Sequence, residues 1–91
     1  MKSLLIDDLR NIAADRIART YDEGILALQE GPWEILYLDH DFGDPDERKT
    51  GYGIMCWLEA NPEYLPGRIQ IVSANPVGRK NIQVVIDRLY R

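Results

Sequence analysis

The chain has 91 residues, of which 45% are hydrophobic, and eleven Lys and Arg against fifteen Asp and Glu give it a net charge of -4. This length and hydrophobic content predict one domain, residues 1–91, with a modest core. The negative charge argues against a protein that coats duplex DNA through its phosphates. No segment is long and apolar enough for a signal sequence or a membrane span, so we expect a soluble, cytoplasmic protein without a membrane partner.

The chain has a single cysteine, Cys56, which cannot form an internal disulfide. A lone cysteine favours a reducing, intracellular compartment. We interpret Cys56 as a buried apolar residue.

The first third of the chain predicts two strands and a helix. Ser3–Ile6 is a short apolar run of the kind that lies buried on both faces of a parallel sheet. The ambiguous segment 11–20 is interpreted as a loop or helical turn that leads into a short strand. Thr20 and Glu23 have the spacing of a capping box, which predicts a helix over Tyr21–Glu30 that ends at Gly31-Pro32.

The remaining two thirds predict two more strands and two more helices. The elements are a strand over Trp33–Leu38, a polar loop over Phe42–Lys49, a helix over Gly51–Ala60, a strand over Arg68–Ser73, and a helix that begins after the cap Asn75 and runs almost to Arg91. The third helix should use Ile82, Val85, Ile86 and Leu89 as its buried face.

Strands that alternate with helices predict an α/β fold with right-handed crossovers. We expect a small, doubly wound parallel sheet of about four strands in the order 2-1-3-4, similar to a truncated receiver or flavodoxin fold. In that order the first and third strands are neighbours, and the crevice beyond their carboxyl ends is where such sheets bind ligands.

Several carboxylates should converge at this crevice. Asp7 and Asp8 follow the first strand, and Asp39 and Asp41 follow the third. Carboxylate oxygens with waters are the ligands that Mg²⁺ prefers, and a divalent ion would relieve the repulsion between them. The sequence therefore predicts a metal site among these carboxylates, with Mg²⁺ as the expected ion.

The alternative is that these acids are ordinary helix caps and turn residues. That interpretation suits Asp44, Asp46 and Glu47 best, because aspartate is common in turns and caps. It is weaker for Asp39, which ends the most apolar strand, where a carboxylate without a partner would be costly.

His40 and Asp41 are the candidate proton-transfer groups beside Asp39. His40 is the only histidine, and it could act as a general acid, donate to a phosphate, or serve only as a structural hydrogen-bonding residue. Strand alternation places it on the side opposite to Asp39 and Asp41, which leaves a structural role open.

The segment SANPVGRKN, residues 73–81, predicts an anion site. A helix that begins at Pro76 directs free amides and its positive dipole end at the rim of the sheet that carries the acids. Ser73 could donate to a phosphate oxygen, Gly78 would allow close approach of a ligand to the backbone, and Arg79 and Lys80 add positive charge. The alternative is simple capping by Asn75, with no ligand.

A phosphate bound through a divalent metal would satisfy both halves of this site. The connecting segment FGDPDERKTGYG has three glycines and could close over such a ligand, although a solvated loop is the default.

Three stretches together resemble a known family. LLIDDLR, LDHDFGD with TGYGIMCWLE, and SANPVGRKN are similar in order and spacing to the cyclic-phosphate-processing receiver-like domains of bacteria and their phages. The resemblance spans nearly the whole chain. It implies a receiver-like fold and an activity on cyclic or terminal phosphates of nucleotides or RNA.

The resemblance also implies site residues. Asp7, Asp8 and Asp39 correspond to the receiver acid pocket, with Asp39 at the place of the phosphate-accepting aspartate. The positions that match the family's own motifs are Arg10, His40, Asp41, Thr50, Gly51, Ser73, Asn75 and Arg79.

Two departures from the family qualify these roles. Val72 stands where the family commonly has a histidine, which disfavours a mechanism with two histidines. The chain has no counterpart of the fifth strand and helix of a full receiver or of its lysine, which disfavours ordinary phospho-aspartate signalling.

Three functions therefore compete. The first is Mg²⁺-assisted processing or binding of a phosphorylated or cyclic nucleotide or an RNA end, by Asp39, His40 and Asp41 with Arg10, Thr50, Ser73, Asn75, Gly78 and Arg79 on the phosphate. The second is a receiver that is phosphorylated on Asp39. The third is a non-catalytic regulator that binds a nucleotide or a protein, and apolar residues near the last helix could support a homodimer.

Overall fold

The computed structural model describes residues 2–90, which form one four-stranded parallel sheet and three α-helices. The elements in chain order are β1 (Ser3–Ile6), β2 (Arg16–Ala18), α1 (Tyr21–Glu30), β3 (Ile35–Leu38), α2 (Gly51–Ala60), a 3₁₀ turn (Pro62–Tyr64), β4 (Arg68–Ile71) and α3 (Pro76–Leu89). The strand order is β2-β1-β3-β4 and every pair is parallel. The predicted receiver-like fold and strand order are confirmed.

The three helices pack on the same face of the sheet. Leu4 and Ile6 of β1 and Leu36 and Leu38 of β3 form one apolar cluster with buried residues of α1, α2 and α3. Because side chains alternate along a strand, Leu5 and Ile35 point to the other face, and both are also buried. The segment 7–15 that joins β1 to β2 contains no helix, so of the predicted loop or helical turn before the short strand β2 the structure shows the loop.

The start of β1 and the end of this segment are held together by side-chain hydrogen bonds. Asp15 Oδ2 accepts from the backbone amide of Ser3 at 2.8 Å and from its hydroxyl at 3.1 Å, and the Asp15 amide donates to Ser3 Oγ at 3.1 Å. These bonds to Ser3 lower the pKa of Asp15. The segment between Asp7 and Asp15 is therefore fixed at both ends.

The ends of two predicted strands differ from the observed ones. β3 begins at Ile35 and not at Trp33, because the Trp33 side chain turns into the core and its Nε1 donates to Ala27 O at 2.8 Å. β4 ends at Ile71, although one further ladder bond joins Val72 N to Leu38 O at 3.0 Å. Helix α3 ends at Leu89, and the predicted end point near Arg91 lies outside the described residues.

Two predictions about α2 and the loop before it are wrong. Cys56 is exposed, because the buried face of α2 is Gly51, Ile54, Met55 and Leu58, and Cys56 lies on the opposite side of the helix. The segment FGDPDERKTGYG is not one loop with three glycines, since α2 begins at Gly51 and only Gly43 remains in the loop. No helix among residues 2–90 is long and apolar enough to cross a membrane.

The capping of α1 gives a first testable prediction. Thr20 Oγ1 accepts from the Glu23 amide at 3.1 Å, and the Glu23 carboxylate accepts from the Arg19 amide at 2.8 Å. Thr20→Ala removes the first bond, and we expect a loss of about 1 kcal/mol in the free energy of unfolding. Urea unfolding should show this loss for Thr20→Ala and little change for Thr20→Ser; equal stability of Thr20→Ala and wild type would contradict the role of this cap.

Candidate functional site

The sheet register places the acids of β1 and β3 side by side. Ile6 is paired with Leu38, so Asp7 and Asp39 are the first residues beyond the two strands. Their amides continue the ladder: Asp39 N donates to Ile6 O at 3.0 Å, and Asp7 N donates to Ala18 O of β2 at 3.1 Å. The two carboxylates are therefore fixed at the carboxyl edge of the sheet, in the predicted crevice.

Asp8 completes a group of three carboxylates. One oxygen from each of Asp7, Asp8 and Asp39 lies within 4.8 Å of the other two. Gly43 of the β3–α2 loop adopts φ 68°, and a Cβ there would lie 3.4 Å from Asp8 Oδ2. A glycine therefore brings this loop against the acids, since few other residues adopt positive φ.

One carboxylate oxygen of Asp7 accepts hydrogen bonds from the backbone, and the other has no hydrogen-bond partner among residues 2–90. Its Oδ1 accepts from the amides of Leu9 and Arg10 at 3.0 and 2.9 Å, which is the turn-forming role expected of an ordinary aspartate. Its Oδ2 is buried and has no hydrogen-bond partner among residues 2–90. Arg10 Nε is 3.8 Å from this oxygen, which makes an ion pair but is beyond hydrogen-bond range.

The surroundings of Asp7 Oδ2 suit a metal-binding role better than a structural one. A buried polar atom without a partner costs about 1–3 kcal/mol, and more when it is charged. A cation held between Asp7, Asp8 and Asp39 would supply the missing partner, and carboxylate oxygens suit a hard divalent ion. The three carboxylates could thus hold a metal ion.

The negative charge of Asp39 is electrostatically unfavourable in the absence of a cation. Burial raises its pKa above the usual 3.8, and the nearby Asp7 raises it further, while bonds from the His40 amide and the Ser73 hydroxyl and the charge of Arg10 offset part of the effect. Asp39 Oδ1 accepts from the His40 amide at 2.8 Å. The ionised carboxylate of Asp39 therefore weakens the folded state.

The sign of this effect gives a second prediction. A carboxyl group whose pKa is raised on folding lowers stability as the pH rises above its unfolded value. In EDTA at pH 7 we expect Asp39→Asn to melt above wild type, by about 4–8 °C if the gain is 1 kcal/mol. The difference in melting temperature between Asp39→Asn and wild type should shrink as the pH falls towards 3.8.

The matched control for this experiment is Asp44→Asn. Asp44 is exposed, and its Oδ1 accepts from the Asp46 amide, a bond that asparagine can keep. We expect its melting temperature to match wild type at both pH values. A melting temperature of Asp39→Asn below wild type at pH 7 in EDTA would show that the Asp39 charge is already compensated within the fold.

The His40 ring packs on α3 at Gly78. A Cβ on Gly78 would overlap the His40 ring, so the ring lies directly against the backbone of α3. Its Nδ1 is buried and has no hydrogen-bond partner among residues 2–90. Its carbonyl accepts from Gly51 N at 2.8 Å, so His40 joins the first turns of α2 and α3 to the end of β3.

Asn75 and Asp41 lie together at the start of α3. Asn75 Oδ1 accepts from the amides of Val77 and Gly78, both at 3.1 Å, and its Nδ2 is 3.4 Å from Asp41 Oδ2. Two amides of the first turn are therefore capped within the chain, as in the capping alternative. Ser73 is buried, and its hydroxyl oxygen accepts from the Asn75 amide at 3.1 Å.

The remaining predicted phosphate ligands lie around this edge in different surroundings. Arg79 is exposed, and its Nη1 donates to Ser73 O at 2.9 Å, which holds the guanidinium over the end of β4. The Arg10 side chain is 43% exposed. The Thr50 hydroxyl caps α2 by accepting from Gly53 N at 3.2 Å, and this oxygen still has a proton to donate.

Arg19 is a positioning residue that the sequence did not indicate. Its Nη1 donates to the carbonyls of Asp7 and Arg10 at 3.2 and 2.7 Å, and its Nη2 donates to Asn11 Oδ1 at 2.5 Å. One guanidinium therefore holds the segment that carries Asp7 and Asp8. No motif marks such a residue, because its role depends on the path of the loop that it binds.

Comparison with known proteins agrees with this geometry. A sequence model described as the cyclic-phosphate processing receiver domain matches residues 2–88, nearly the whole chain. The chain belongs to this family. No curated protein and no solved structure matched the chain.

The position of the three acids at one edge of the sheet is consistent with membership of this family. The receiver-like sheet brings Asp7, Asp8 and Asp39 together and places Ser73 beside Asp39. Val72, where related domains commonly have a histidine, is half-buried at the end of β4. His40 is therefore the only imidazole that this receiver domain can bring to its site.

Proposed function

We propose that this domain binds a divalent metal ion, Mg²⁺, at Asp7, Asp8 and Asp39, and that it opens a cyclic phosphate ester of a nucleotide or an RNA end. Two observations carry the proposal: Asp7 Oδ2 is buried and has no hydrogen-bond partner among residues 2–90, and one carboxylate oxygen from each of Asp7, Asp8 and Asp39 lies within 4.8 Å of the other two. The family description supports the cyclic-phosphate substrate.

The reaction is the hydrolysis of one ester bond. Water adds to phosphorus, one phosphorus–oxygen bond of the ring breaks, and a phosphomonoester forms. The water loses a proton and the departing alkoxide gains one. When bound, Mg²⁺ would polarise the phosphate oxygens and stabilise their developing charge.

The chain supplies two candidates for the proton transfers. Asp41 is exposed and lies beside Asn75, so it can exchange protons with solvent. His40 Nδ1 has no hydrogen-bond partner among residues 2–90, although that atom is buried. Losing a positioned acid or base costs roughly 10²–10⁴-fold in rate, so Asp41→Asn and His40→Gln should separate the two candidates.

The basic groups on this edge would hold the phosphate. Arg10 is near enough to act on the charge of Asp39, and Arg79 is fixed by its bond to Ser73 O. Ser73 and Thr50 have hydroxyl groups, whereas the backbone amides of Asn75 and Gly78 already donate to Ser73 Oγ and Asn75 Oδ1. Guanidinium groups suit phosphate oxygens because they donate in a planar fork.

The test is turnover of adenosine 2′,3′-cyclic phosphate, with the products separated by chromatography. We expect ring opening in Mg²⁺, none above background in EDTA, and none in Asp39→Asn. The control Asp44→Asn should keep the wild-type rate. Turnover that persists in Asp39→Asn would refute the site.

A different result would identify another function. A mass gain at Asp39 after treatment with a small phosphodonor and Mg²⁺ would indicate a phospho-accepting receiver. Saturable nucleotide binding without turnover would indicate a non-catalytic regulator.

A further inference from the structure

An aromatic groove lies beside the candidate site, between the start of α1 and the first turns of α2. Its volume is about 640 Å³, within the range of sites for small organic ligands. The residues of this groove that matter here are Tyr21, Arg48, Thr50, Tyr52, Cys56 and Trp57. None of them except Thr50 has a part in the proposed phosphate site.

The groove and the acids share the N-terminus of α2. Thr50 lines the groove, and the next residue, Gly51, packs so tightly on β3 that a Cβ would overlap the Asp39 carbonyl oxygen. Gly51 N also donates to His40 O at 2.8 Å. The helical residue that packs on the Asp39 backbone is therefore next in sequence to a residue that lines the groove.

The wall of the groove is firmly held. The ring of Trp57 stacks on Tyr64, with centroids 5.4 Å apart and an interplanar angle of 19°. Lys49 Nζ is 3.0 Å from Asp22 Oδ2, which ties the loop before α2 to α1. The aromatic residues of the groove thus lie on packed helices, and the loop before α2 is held at Lys49.

The groove offers flat apolar surface with polar groups at its edge. Tyr52 is 40% exposed, and it lines the groove together with Tyr21 and Trp57. The Arg48 guanidinium is held by Asp46 at 3.2 and 3.1 Å and is 90% exposed. Nucleic-acid bases stack on such aromatic rings and on guanidinium planes.

We propose that the aromatic groove binds the base of the nucleoside whose phosphate is bound at Asp7, Asp8 and Asp39. This inference rests on the proposed function, because the acids supply the phosphate end of the same ligand. It adds a substrate class: a nucleotide or the terminal nucleoside of an RNA, in preference to a phosphate ester that lacks a base.

Cys56 provides a direct readout of the groove. It is the only cysteine, it is exposed, and it lies on the groove wall one turn after Tyr52. The rate of its alkylation by iodoacetamide can be followed by mass spectrometry. An occupant of the groove should slow this reaction, whereas a phosphate bound only at the acids should not.

The experiment compares adenosine 3′-monophosphate with ribose 5-phosphate, which lacks the base, in Mg²⁺. We expect the nucleotide to slow alkylation of Cys56 at least about fivefold at saturation and ribose 5-phosphate to leave the rate unchanged. In Tyr52→Ala, the nucleotide concentration that gives half-maximal protection of Cys56 should rise by roughly 5- to 150-fold. Tyr52→Phe, which keeps the ring, should protect as wild type does.

The melting temperature, measured with the same ligands, separates the two proposals. A Mg²⁺-dependent rise that needs Asp39, with no protection of Cys56, would overturn the groove assignment and leave the phosphate site standing. Protection that persists in EDTA and in Asp39→Asn would support the groove and count against the metal site. No protection by the nucleotide under any condition would overturn the groove assignment.

Discussion

Adding Mg²⁺ should raise the melting temperature of the wild-type domain and leave that of Asp8→Asn almost unchanged. A ligand that binds only the folded state stabilises it by about 2.7 kcal/mol at 100 times its dissociation constant. For a domain of this size that gain is roughly 10–20 °C. The effect is large because the cation would both pair Asp7 Oδ2 and relieve the repulsion around Asp39.

Asp8 is the best of the three acids to replace in this experiment. Asp7 also forms the turn that begins the β1–β2 segment, and Asp39 also accepts from the His40 amide. Asp8 belongs to the carboxylate group but has no such bond among residues 2–90. Its replacement by asparagine should therefore remove metal binding and keep the fold.

Asp44→Asn is the matched control, and NaCl at equal ionic strength accounts for general screening of charge. The control should keep the wild-type response to Mg²⁺. A Mg²⁺-dependent rise of equal size in Asp8→Asn and wild type would place the stabilising cation somewhere else on the domain.

Gly51→Ala should strongly destabilise the domain at the site. A Cβ there would overlap the Asp39 carbonyl oxygen and lie 2.8 Å from His40 Cα. Both are backbone atoms and cannot swing aside, so α2 or the end of β3 must move. We expect a loss of about 3 kcal/mol, the upper end of the usual cost of overpacking, although alanine is the better helix former.

Gly24→Ala is a useful comparison because it also adds a methyl group to a buried helical glycine. Its new Cβ would meet Ile6 side-chain atoms at 2.9 Å, and a side chain can rotate to make room. Urea unfolding should therefore show a smaller loss for Gly24→Ala than for Gly51→Ala. If Gly51→Ala is as stable as wild type, α2 does not approach β3 as closely as described.

The sequence predicted the elements that bear the acids because their patterns are local. Apolar runs marked β1 and β3, a capping box marked α1, and Pro76 after Asn75 marked the start of α3. Parallel pairing then required Asp7 and Asp39 to be neighbours, since both follow strands that end at the same edge. The acid group was thus predictable without any side-chain coordinates.

Other features depend on contacts between distant segments, and the sequence could not reveal them. The position of the His40 ring depends on how closely α3 approaches β3 at Gly78. The role of Arg19 depends on the path of residues 7–11. The prediction for Cys56 was wrong because residue type alone favours burial, whereas the face of α2 decides it.

The most direct test of the metal site is paramagnetic broadening by Mn²⁺, followed in amide NMR spectra of the wild-type domain. Mn²⁺ has the ligand preferences of Mg²⁺ and broadens signals near its site. We expect substoichiometric Mn²⁺ to broaden the amide signals of residues 7–10 and 39–41 first. Excess Mg²⁺ should reverse this broadening, and Asp8→Asn should abolish it. Broadening centred instead on the exposed acidic loop at residues 44–47 would contradict this metal site.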